Sequence, residues 1–289
     1  MENSDSGRQR RKIRISTILL FLVLGTGLCL MAYPAVSDLW NSARQTRAIA
    51  AYTEEIQGLD SERYERLWSE AQEYNRKLLT GEVSAALAEE DYEAYQSLLN
   101  VSGNGMMGYV EIPSIHCTLP VYHGTDEAVL QIAAGHMEGT SLPVGGAGTH
   151  CVLSSHRGLP SARLFTDLDQ LKEGDEFFLH VLGKTLAYEV DQILVVEPDE
   201  TEALAIEEGQ DYCTLVTCTP YGVNSHRLLV RGSRAPYEGE ALVGGDSFSE
   251  DAKALSAAAV LLPAGAVLFL AALLIRILFG KRAAKRNRK

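Results

Sequence analysis

The sequence predicts a mostly β fold, a closed or nearly closed barrel, with helices before it and an apolar span on each side. Residues 15–36 and 254–275 are apolar and uncharged, and roughly 20 such residues are enough to cross a bilayer. From Gly103 onward, short runs of β-branched and apolar residues alternate with turn residues, which is typical of strands. Many short strands with few helices between them favour a barrel.

The segment before the barrel has the periodicity of helices. Between residues 38 and 99, apolar residues recur at steps of three or four, which predicts amphipathic helices. Asp60 precedes the second apolar stripe and Gly81 follows it, and these residue types favour the start and the end of a helix. We expect Trp40 and Trp68, which lie on these helices, to turn apolar faces toward the core.

Seven strands and one helix are predicted within the barrel region. The helix is residues 161–171. The strands are residues 108–112, 115–122, 149–155, 176–182, 185–196, 212–218 and 227–231.

Basic residues flank both apolar spans. Residues 1–14 carry five basic and two acidic side chains, and residues 276–289 carry seven basic and no acidic ones. Because basic flanks stay in the cytoplasm, we expect both termini inside and the middle of the chain outside. The chain has a net charge of −12, so the part between the spans is strongly acidic. That charge argues against a nucleic-acid partner, which needs a basic face.

Each span has a second interpretation. The first could be a cleaved signal peptide, with Met31-Ala32-Tyr33 loosely similar to a cleavage site. Its apolar run is longer than the usual signal-peptide core of about 7–15 residues, which favours a retained anchor. The second could be a sorting signal that is removed, but no LPxTG-type motif precedes residues 254–275.

The chain has five cysteines, at positions 29, 117, 151, 213 and 218. That density is low for a disulfide scaffold, and whether any of them pair is left open. No CxxC or Cys/His zinc spacing occurs, so neither a metal nor another cofactor is predicted.

The most informative cysteine is Cys218. Alternation along residues 212–218 places it on the face opposite to Cys213, at the end of a strand and before a turn. Arg227 begins the next strand, so antiparallel pairing would bring it beside Cys218. A thiolate is a strong nucleophile, and a guanidinium can bond a developing oxyanion. The alternative is that Cys218 is a small buried hydrophobe.

His156 is the candidate proton donor and acceptor. It closes another predicted strand, and an imidazole exchanges protons near neutral pH. Five other histidines have no distinguishing context, and His226 should face away from its neighbour Arg227. The alternative is a solvated histidine without a catalytic role.

Two motifs carry a family resemblance. Residues 214–218 read Thr-Leu-Val-Thr-Cys, and Arg227 follows nine residues after Cys218, which resembles the sortase signature. Residues 153–165, around His156, are similar to the histidine segment of class C, the pilin-polymerising sortases of Gram-positive bacteria. Further similar stretches, within residues 40–235, are residues 108–113, 119–124, 139–145 and 195–198.

The resemblance implies an eight-stranded β-barrel and transpeptidation in two steps. Cys218 would cleave an LPxTG-type sorting signal between Thr and Gly and form a thioacyl enzyme, with His156 as acid/base and Arg227 as oxyanion stabiliser. An amine would then resolve the thioacyl enzyme. The implied partners are LPxTG-bearing pilin subunits and an acceptor amine, either a pilin lysine or, in housekeeping sortases, the peptidoglycan precursor.

The combined expectation is a two-pass membrane protein with an extracellular catalytic domain. The alternatives are a housekeeping sortase and an inactive membrane-tethered pilus-assembly or binding protein, and the intact Cys218, His156 and Arg227 argue against the latter. The expected segments are a cytoplasmic basic tail (1–14), a transmembrane helix (15–36), an extracellular helical and lid segment (37–105), the catalytic barrel (106–236), a linker (237–253), a second transmembrane helix (254–275) and a cytoplasmic basic tail (276–289).

Two positions depart from the family pattern. Class C sortases carry a lid with an Asp-Pro-aromatic motif, and residues 98–105 contain neither proline nor an aromatic residue. We therefore expect this glycine-containing stretch to be mobile and Cys218 to be open, unless Tyr92 or Tyr95 plugs the site instead. Ser155 also stands where the family commonly has glycine.

Overall fold

A computed structural model of the protein describes residues 3–84, 86 and 88–237. The predicted linker beyond Tyr237, the second span and the C-terminal basic tail lie outside the described residues. The helices are α1 (Asn3–Gln57), α2 (Ser61–Thr80), α3 (Glu89–Ser97) and α4 (Glu127–Leu130). The strands are β1 (Met106–Ile112), β2 (Cys117–His123), β3 (Ala134–His136), β4 (Thr149–Ser154), β5 (Glu176–Val181), β6 (Lys184–Val196), β7 (Asp211–Thr219) and β8 (His226–Ala235).

The eight strands form a closed barrel in the order β1-β2-β3-β4-β7-β8-β6-β5. The pairs β2–β3 and β4–β7 are parallel, and the other pairs are antiparallel. The expected mostly β barrel of eight strands is therefore confirmed. Seven of the eight strands are predicted from the sequence, and β3 is not. Its three residues are too few to show alternation.

Alternate residues of the strands face the two sides of the barrel wall. Inside, apolar side chains such as Leu153, Leu215 and Val230 belong to one buried cluster. Outside, Val216 and Leu229 are covered by residues that follow β6. The wall of the barrel is thus apolar on both sides at β7 and β8, which explains why these strands read as almost continuous apolar runs.

Helix α2 begins and ends where its sequence predicts. The Asp60 carboxylate accepts a hydrogen bond from the Arg63 N–H at 2.7 Å, and Gly81 ends the helix with φ 74°. Trp68 is buried, and the Lys184 ammonium lies 3.8 Å from the centre of its ring. The prediction for Trp40 is wrong, because its side chain lies on a part of α1 that faces away from the core and is 46% exposed.

Helix α1 is continuous from the predicted first span into the catalytic domain. Within the described residues, Leu22–Gln57 is the one helical stretch long and apolar enough to cross a membrane, and an 18-residue window of it has a mean hydropathy of 1.5. Farther along, the Tyr52 hydroxyl donates to the Met107 carbonyl at 2.6 Å and accepts from the Leu182 N–H at 3.0 Å. The buried hydroxyl therefore fixes the end of α1 to the barrel.

Residues 161–171 do not form the predicted helix. They form successive turns, of which Leu168–Gln170 is a 3-10 turn. Phe165 and Leu168 are buried in the barrel interior, and the Phe165 N–H donates to the His156 carbonyl at 3.1 Å. The apolar residues whose spacing resembled that of a helix instead belong to a folded loop that closes one end of the barrel.

The expected mobility of residues 98–105 is also contradicted. Leu99 is completely buried, and the His123 ring nitrogens lie 2.8 Å from the carbonyl oxygens of Leu98 and Gly105. These contacts dock the segment at the end of β2. Since β2 and β3 run antiparallel to β4, β2 is directed away from the ends of β4 and β7.

Candidate active site

Cys218 and Arg227 are cross-strand neighbours at the ends of β7 and β8. Directly opposed residues of an antiparallel pair share a face, with Cβ atoms about 4.5–5.5 Å apart. This is the outer face, since Cys218 follows the alternation of Val216, whereas Cys213 lies in the interior cluster. Cys218 is half-buried and lies beside a turn. The expected proximity of Cys218 and Arg227 is present.

The Arg227 guanidinium is held by backbone oxygens. Its Nη1 donates to the carbonyls of His226 at 3.1 Å and Asn224 at 3.4 Å. No carboxylate of the described chain lies within ion-pair distance of Arg227. A guanidinium with five N–H groups and two such contacts retains donors for an oxyanion.

His156 lies beside the same strand end. Strand β4 pairs in parallel with β7, and the Ser155 N–H continues the pairing by donating to the Val216 carbonyl at 3.1 Å. The Thr217 hydroxyl in turn donates to the Ser155 carbonyl at 2.8 Å. His156 directly follows Ser155, and Cys218 directly follows Thr217. Because these hydrogen bonds join the two preceding segments, the fold places His156 and Cys218 at the same end of the barrel.

Ser155, which stands where the family commonly has glycine, is accommodated by a specific hydrogen bond. Its hydroxyl donates to the Ala133 carbonyl at 2.7 Å, and the residue is buried. The serine thus ties the end of β4 to the residues before β3 without disturbing the chain at His156.

Glu127, the first residue of α4, contacts His156. Its Oε2 lies 3.1 Å from His156 Nε2, and its Oε1 accepts from the Gln131 amide at 2.9 Å. The amide and then the imidazole lower the pKa of Glu127, so the carboxylate is ionised at neutral pH. When the imidazole is neutral, Nε2 carries the proton toward this carboxylate and Nδ1 keeps the free lone pair. Nothing in the sequence links these two residues, which are 29 positions apart.

The other cysteines of the barrel are less suited to act as nucleophiles. Cys151 and Cys213 are buried register partners in the interior. Burial raises the pKa of Cys213 well above its ordinary value and that of Cys117 to about 12. A buried thiol that stays protonated is a poor nucleophile. Against the effect of burial, hydrogen bonds with Cys213 and His136 lower the pKa of Cys151, but this side chain is enclosed in the barrel interior, where a substrate cannot reach it.

The competing histidines have other partners. His150 lies 2.7 Å from the Thr214 hydroxyl, and His136 lies 2.9 Å from the Tyr95 hydroxyl. His226 lies 3.2 Å from the Glu197 carboxylate. Tyr95 is completely buried in this contact, so it does not plug the site at Cys218. His226 also reaches the end of β7, opposite Thr219, but alternation places it on the other face of the strand pair from Cys218 and Arg227.

Comparison with known proteins identifies the family. Residues 110–235 match the family model described as the sortase domain. Sortase C1 from Streptococcus agalactiae is 49% identical, with a TM-score of 0.65, and the match covers 66% of this chain and 100% of that chain. This chain belongs to the sortase family. Sortases are cysteine transpeptidases, and this sortase is an enzyme of that class.

Two further solved structures resemble this sortase closely. Sortase C from Streptococcus pneumoniae is 48% identical, covering 66% of this chain and 97% of that chain with a TM-score of 0.60. Sortase C from Clostridium perfringens, solved with the C-terminal cell wall sorting motif, is 46% identical, covering 66% and 99% with a TM-score of 0.59. These three structural neighbours of this sortase are class C enzymes.

Proposed function

We propose that this sortase polymerises pilin subunits by cleaving an LPxTG-type sorting signal and joining it to a pilin lysine. One observation carries the assignment of residues. Cys218 and Arg227 are register partners on an accessible face, and His156 follows the strand beside them. This arrangement supplies a nucleophile, an oxyanion donor and a proton donor at one strand end.

In the first step, the Cys218 thiolate attacks the carbonyl carbon of the threonine in the sorting signal. The carbonyl oxygen becomes an oxyanion, which the Arg227 guanidinium stabilises by hydrogen bonds. Protonated His156 gives its proton to the departing glycine amine as the Thr–Gly bond breaks. The products are a thioacyl enzyme and the released C-terminal peptide.

In the second step, an uncharged lysine amine attacks the thioester carbonyl. His156, now neutral, accepts the proton from this amine, and Arg227 again stabilises the oxyanion. The carbon–sulfur bond breaks, the Cys218 thiolate leaves, and a new amide joins the two chains. The proton taken from the amine restores the imidazolium for the next cycle.

Similar proteins support the choice of substrate. The structure of the pneumococcal sortase C gives insight into pilin substrate specificity, and the C. perfringens enzyme was solved with a cell wall sorting motif. The same substrate class is proposed here. A candidate membrane helix at the N-terminal side supports anchoring, and the basic flanks support a two-pass topology with both termini in the cytoplasm.

The test is a reaction of the full chain in detergent with an LPxTG peptide and candidate pilins. Mass spectrometry would locate the new amide bond. We expect a threonine–lysine isopeptide between pilins, and no product with Cys218→Ala. Transfer only to a peptidoglycan-like amine would instead indicate a housekeeping sortase. No thioacyl enzyme with any signal would indicate an inactive binding protein.

A further inference from the structure

Arg157, the residue after His156, is a buried cation at the junction of two loops. Its side chain is only 8% exposed. Its Nη2 forms an ion pair with Asp169, and its Nη1 donates to the Thr219 hydroxyl at 3.4 Å. The centre of the Tyr221 ring lies 5.8 Å from the guanidinium carbon. One side chain thus contacts both the loop after β4 and the turn after β7.

These contacts touch the chain beside the proposed nucleophile. Thr219 directly follows Cys218 and is the last residue of β7. In the turn beyond it, the Tyr221 ring packs so closely on Gly158 that a Cβ there would lie 2.9 Å from a ring carbon. Gly158 also has a φ of 75°, which L side chains rarely adopt. The two loops therefore meet directly over the Arg157 side chain.

The ion pair of Arg157 connects it to the barrel core. Its partner, Asp169, lies in the 3-10 turn Leu168–Gln170. Leu168, in the same turn, is completely buried in the interior cluster. The guanidinium thus connects the end of β7 to a turn that the core holds in place.

Stability alone does not account for this buried charge. The Arg157 Nε is buried and has no hydrogen-bond partner among the described residues. An unpaired buried donor costs stability, and a buried ion pair is weak evidence of stabilisation. Asp169 is 47% exposed, so water could hydrate its carboxylate if the arginine were replaced. An apolar side chain of similar length would fill the same space without an unpaired donor.

We propose that Arg157 is a positioning residue for transpeptidation, one that holds the Cys218 end of β7 at the correct distance from the loop that carries His156. This inference rests on the proposed roles of Cys218 and His156. Arg157 acts through its neighbours and does not itself touch the reacting atoms. Displacing a reacting group by about 1 Å can slow a reaction roughly 100-fold.

Three variants of the full chain test the proposal. Arg157→Met removes the cation but retains apolar length, and Arg157→Lys retains a charge without the fork that reaches two partners. Arg163→Met is the matched control, since Arg163 lies on the same loop and pairs with Asp167, but its side chain is 68% exposed. For each variant we would measure thermal unfolding, kcat and KM for an LPxTG peptide, and the pH profile of Cys218 alkylation.

We expect Arg157→Met to lower kcat by about 30- to 100-fold with little change in KM. Its melting temperature should stay close to that of the wild type, and its alkylation profile should shift because the surroundings of Cys218 change. Arg157→Lys should recover part of the kcat, and Arg163→Met should behave as the wild type.

Two outcomes would overturn the proposal. In one, Arg157→Met keeps kcat within threefold of the wild type and an unchanged alkylation profile. In the other, kcat and melting temperature fall together while the alkylation profile of the folded fraction is unchanged, which would indicate a purely structural role. Either result, obtained while Cys218→Ala is inactive, contradicts only the role of Arg157. Cleavage by Cys218→Ala would contradict the proposed function itself.

Discussion

Cys218 and Arg227 occupy directly opposed positions on antiparallel strands, where β7 ends and β8 begins. Nine residues separate them in the chain, but the register makes them nearest neighbours across the sheet. Because the strand pair fixes this distance, the proposed nucleophile and the proposed oxyanion donor need no loop closure to meet. The remaining freedom lies in their side chains and in the adjoining turn.

The nucleophile is tested by comparing two cysteines of the same strand. Cys218→Ala should abolish the thioacyl enzyme, because burial raises the pKa of Cys117 and Cys213, and Cys151 is buried in the barrel interior, out of reach of a substrate. Cys213→Ala should retain kcat, since that side chain is in the interior. Intact-protein mass spectrometry after incubation with a sorting-signal peptide would report the adduct. An adduct on Cys218→Ala would refute the assignment.

The oxyanion donor is tested by Arg227→Lys and Arg227→Ala. Both should lower kcat by at least about 100-fold, because an ammonium lacks the fork of a guanidinium and alanine supplies no donor. Arg231→Lys is a control on the same strand, since Arg231 pairs with Asp191 instead. Steady-state peptide cleavage is the measurement, and wild-type activity in Arg227→Lys would argue against an oxyanion role.

The proton donor is tested by His156→Ala, with His226→Ala as the matched histidine control. The former should lower kcat by about 100-fold or more, the scale of a lost acid/base group. His226 pairs with Glu197, so its loss should leave kcat nearly unchanged. Single-turnover cleavage, measured as the rate of peptide release, would distinguish the two variants. An equal loss of rate in His156→Ala and His226→Ala would show that His156 has no special role.

Glu127 gives a prediction about pH. The folded state lowers its pKa below the ordinary value of 4.5, so its contact with His156 is present above that range and is lost only as the pH falls through the lowered value. The carboxylate is therefore ionised throughout pH 6 to 8, and Glu127→Gln, which removes its charge beside His156, should lower kcat/KM at every pH in this interval. Glu138→Gln is a control outside the contact. Equal kcat/KM values for the wild type and Glu127→Gln across this interval would contradict the prediction.

The docked segment after α3 gives a prediction about access to the site. Leu99→Ala should destabilise the protein by about 2–5 kcal/mol, because a fully buried leucine is truncated. It should leave the alkylation rate of Cys218 unchanged, since residues 98–105 are held at His123, on a strand directed away from the end of β7. Ser102→Ala is the control for a partly exposed position in this segment. Faster alkylation in folded Leu99→Ala would show that the segment restricts access to Cys218.

Local features of this fold could be predicted from the sequence, and long-range contacts could not. The ends of α2 depend on Asp60 and Gly81, which act on their own helix. The pairing of Cys218 with Arg227 follows from alternation and a short turn. In contrast, Glu127 and Arg157 acquire their importance from partners distant in the sequence, which no periodicity reveals.

The wrong predictions have the same origin. Residues 161–171 have helix-like spacing of apolar side chains, but Phe165 and Leu168 use that spacing to fill the end of the barrel. Residues 98–105 have the composition of a mobile loop, but Leu99 enters a buried cluster and His123 holds the backbone on either side. In both segments tertiary packing outweighs the local preference of the chain.

The continuity of α1 from the proposed bilayer span to the barrel would set the distance of the barrel from the membrane. An α-helix rises about 1.5 Å per residue, so Tyr52 stands roughly 24 Å beyond Val36, the end of the proposed bilayer span. The side chains of Asn41 and Asp38 add bonds from this helix to the loop that follows His156. A helix bonded to the barrel region both at Asp38 and at Tyr52 would keep the active site in a thin layer parallel to the membrane. Reaction partners tethered to the same bilayer would then reach the active site by lateral diffusion, at an effective concentration set by the length of their own tethers.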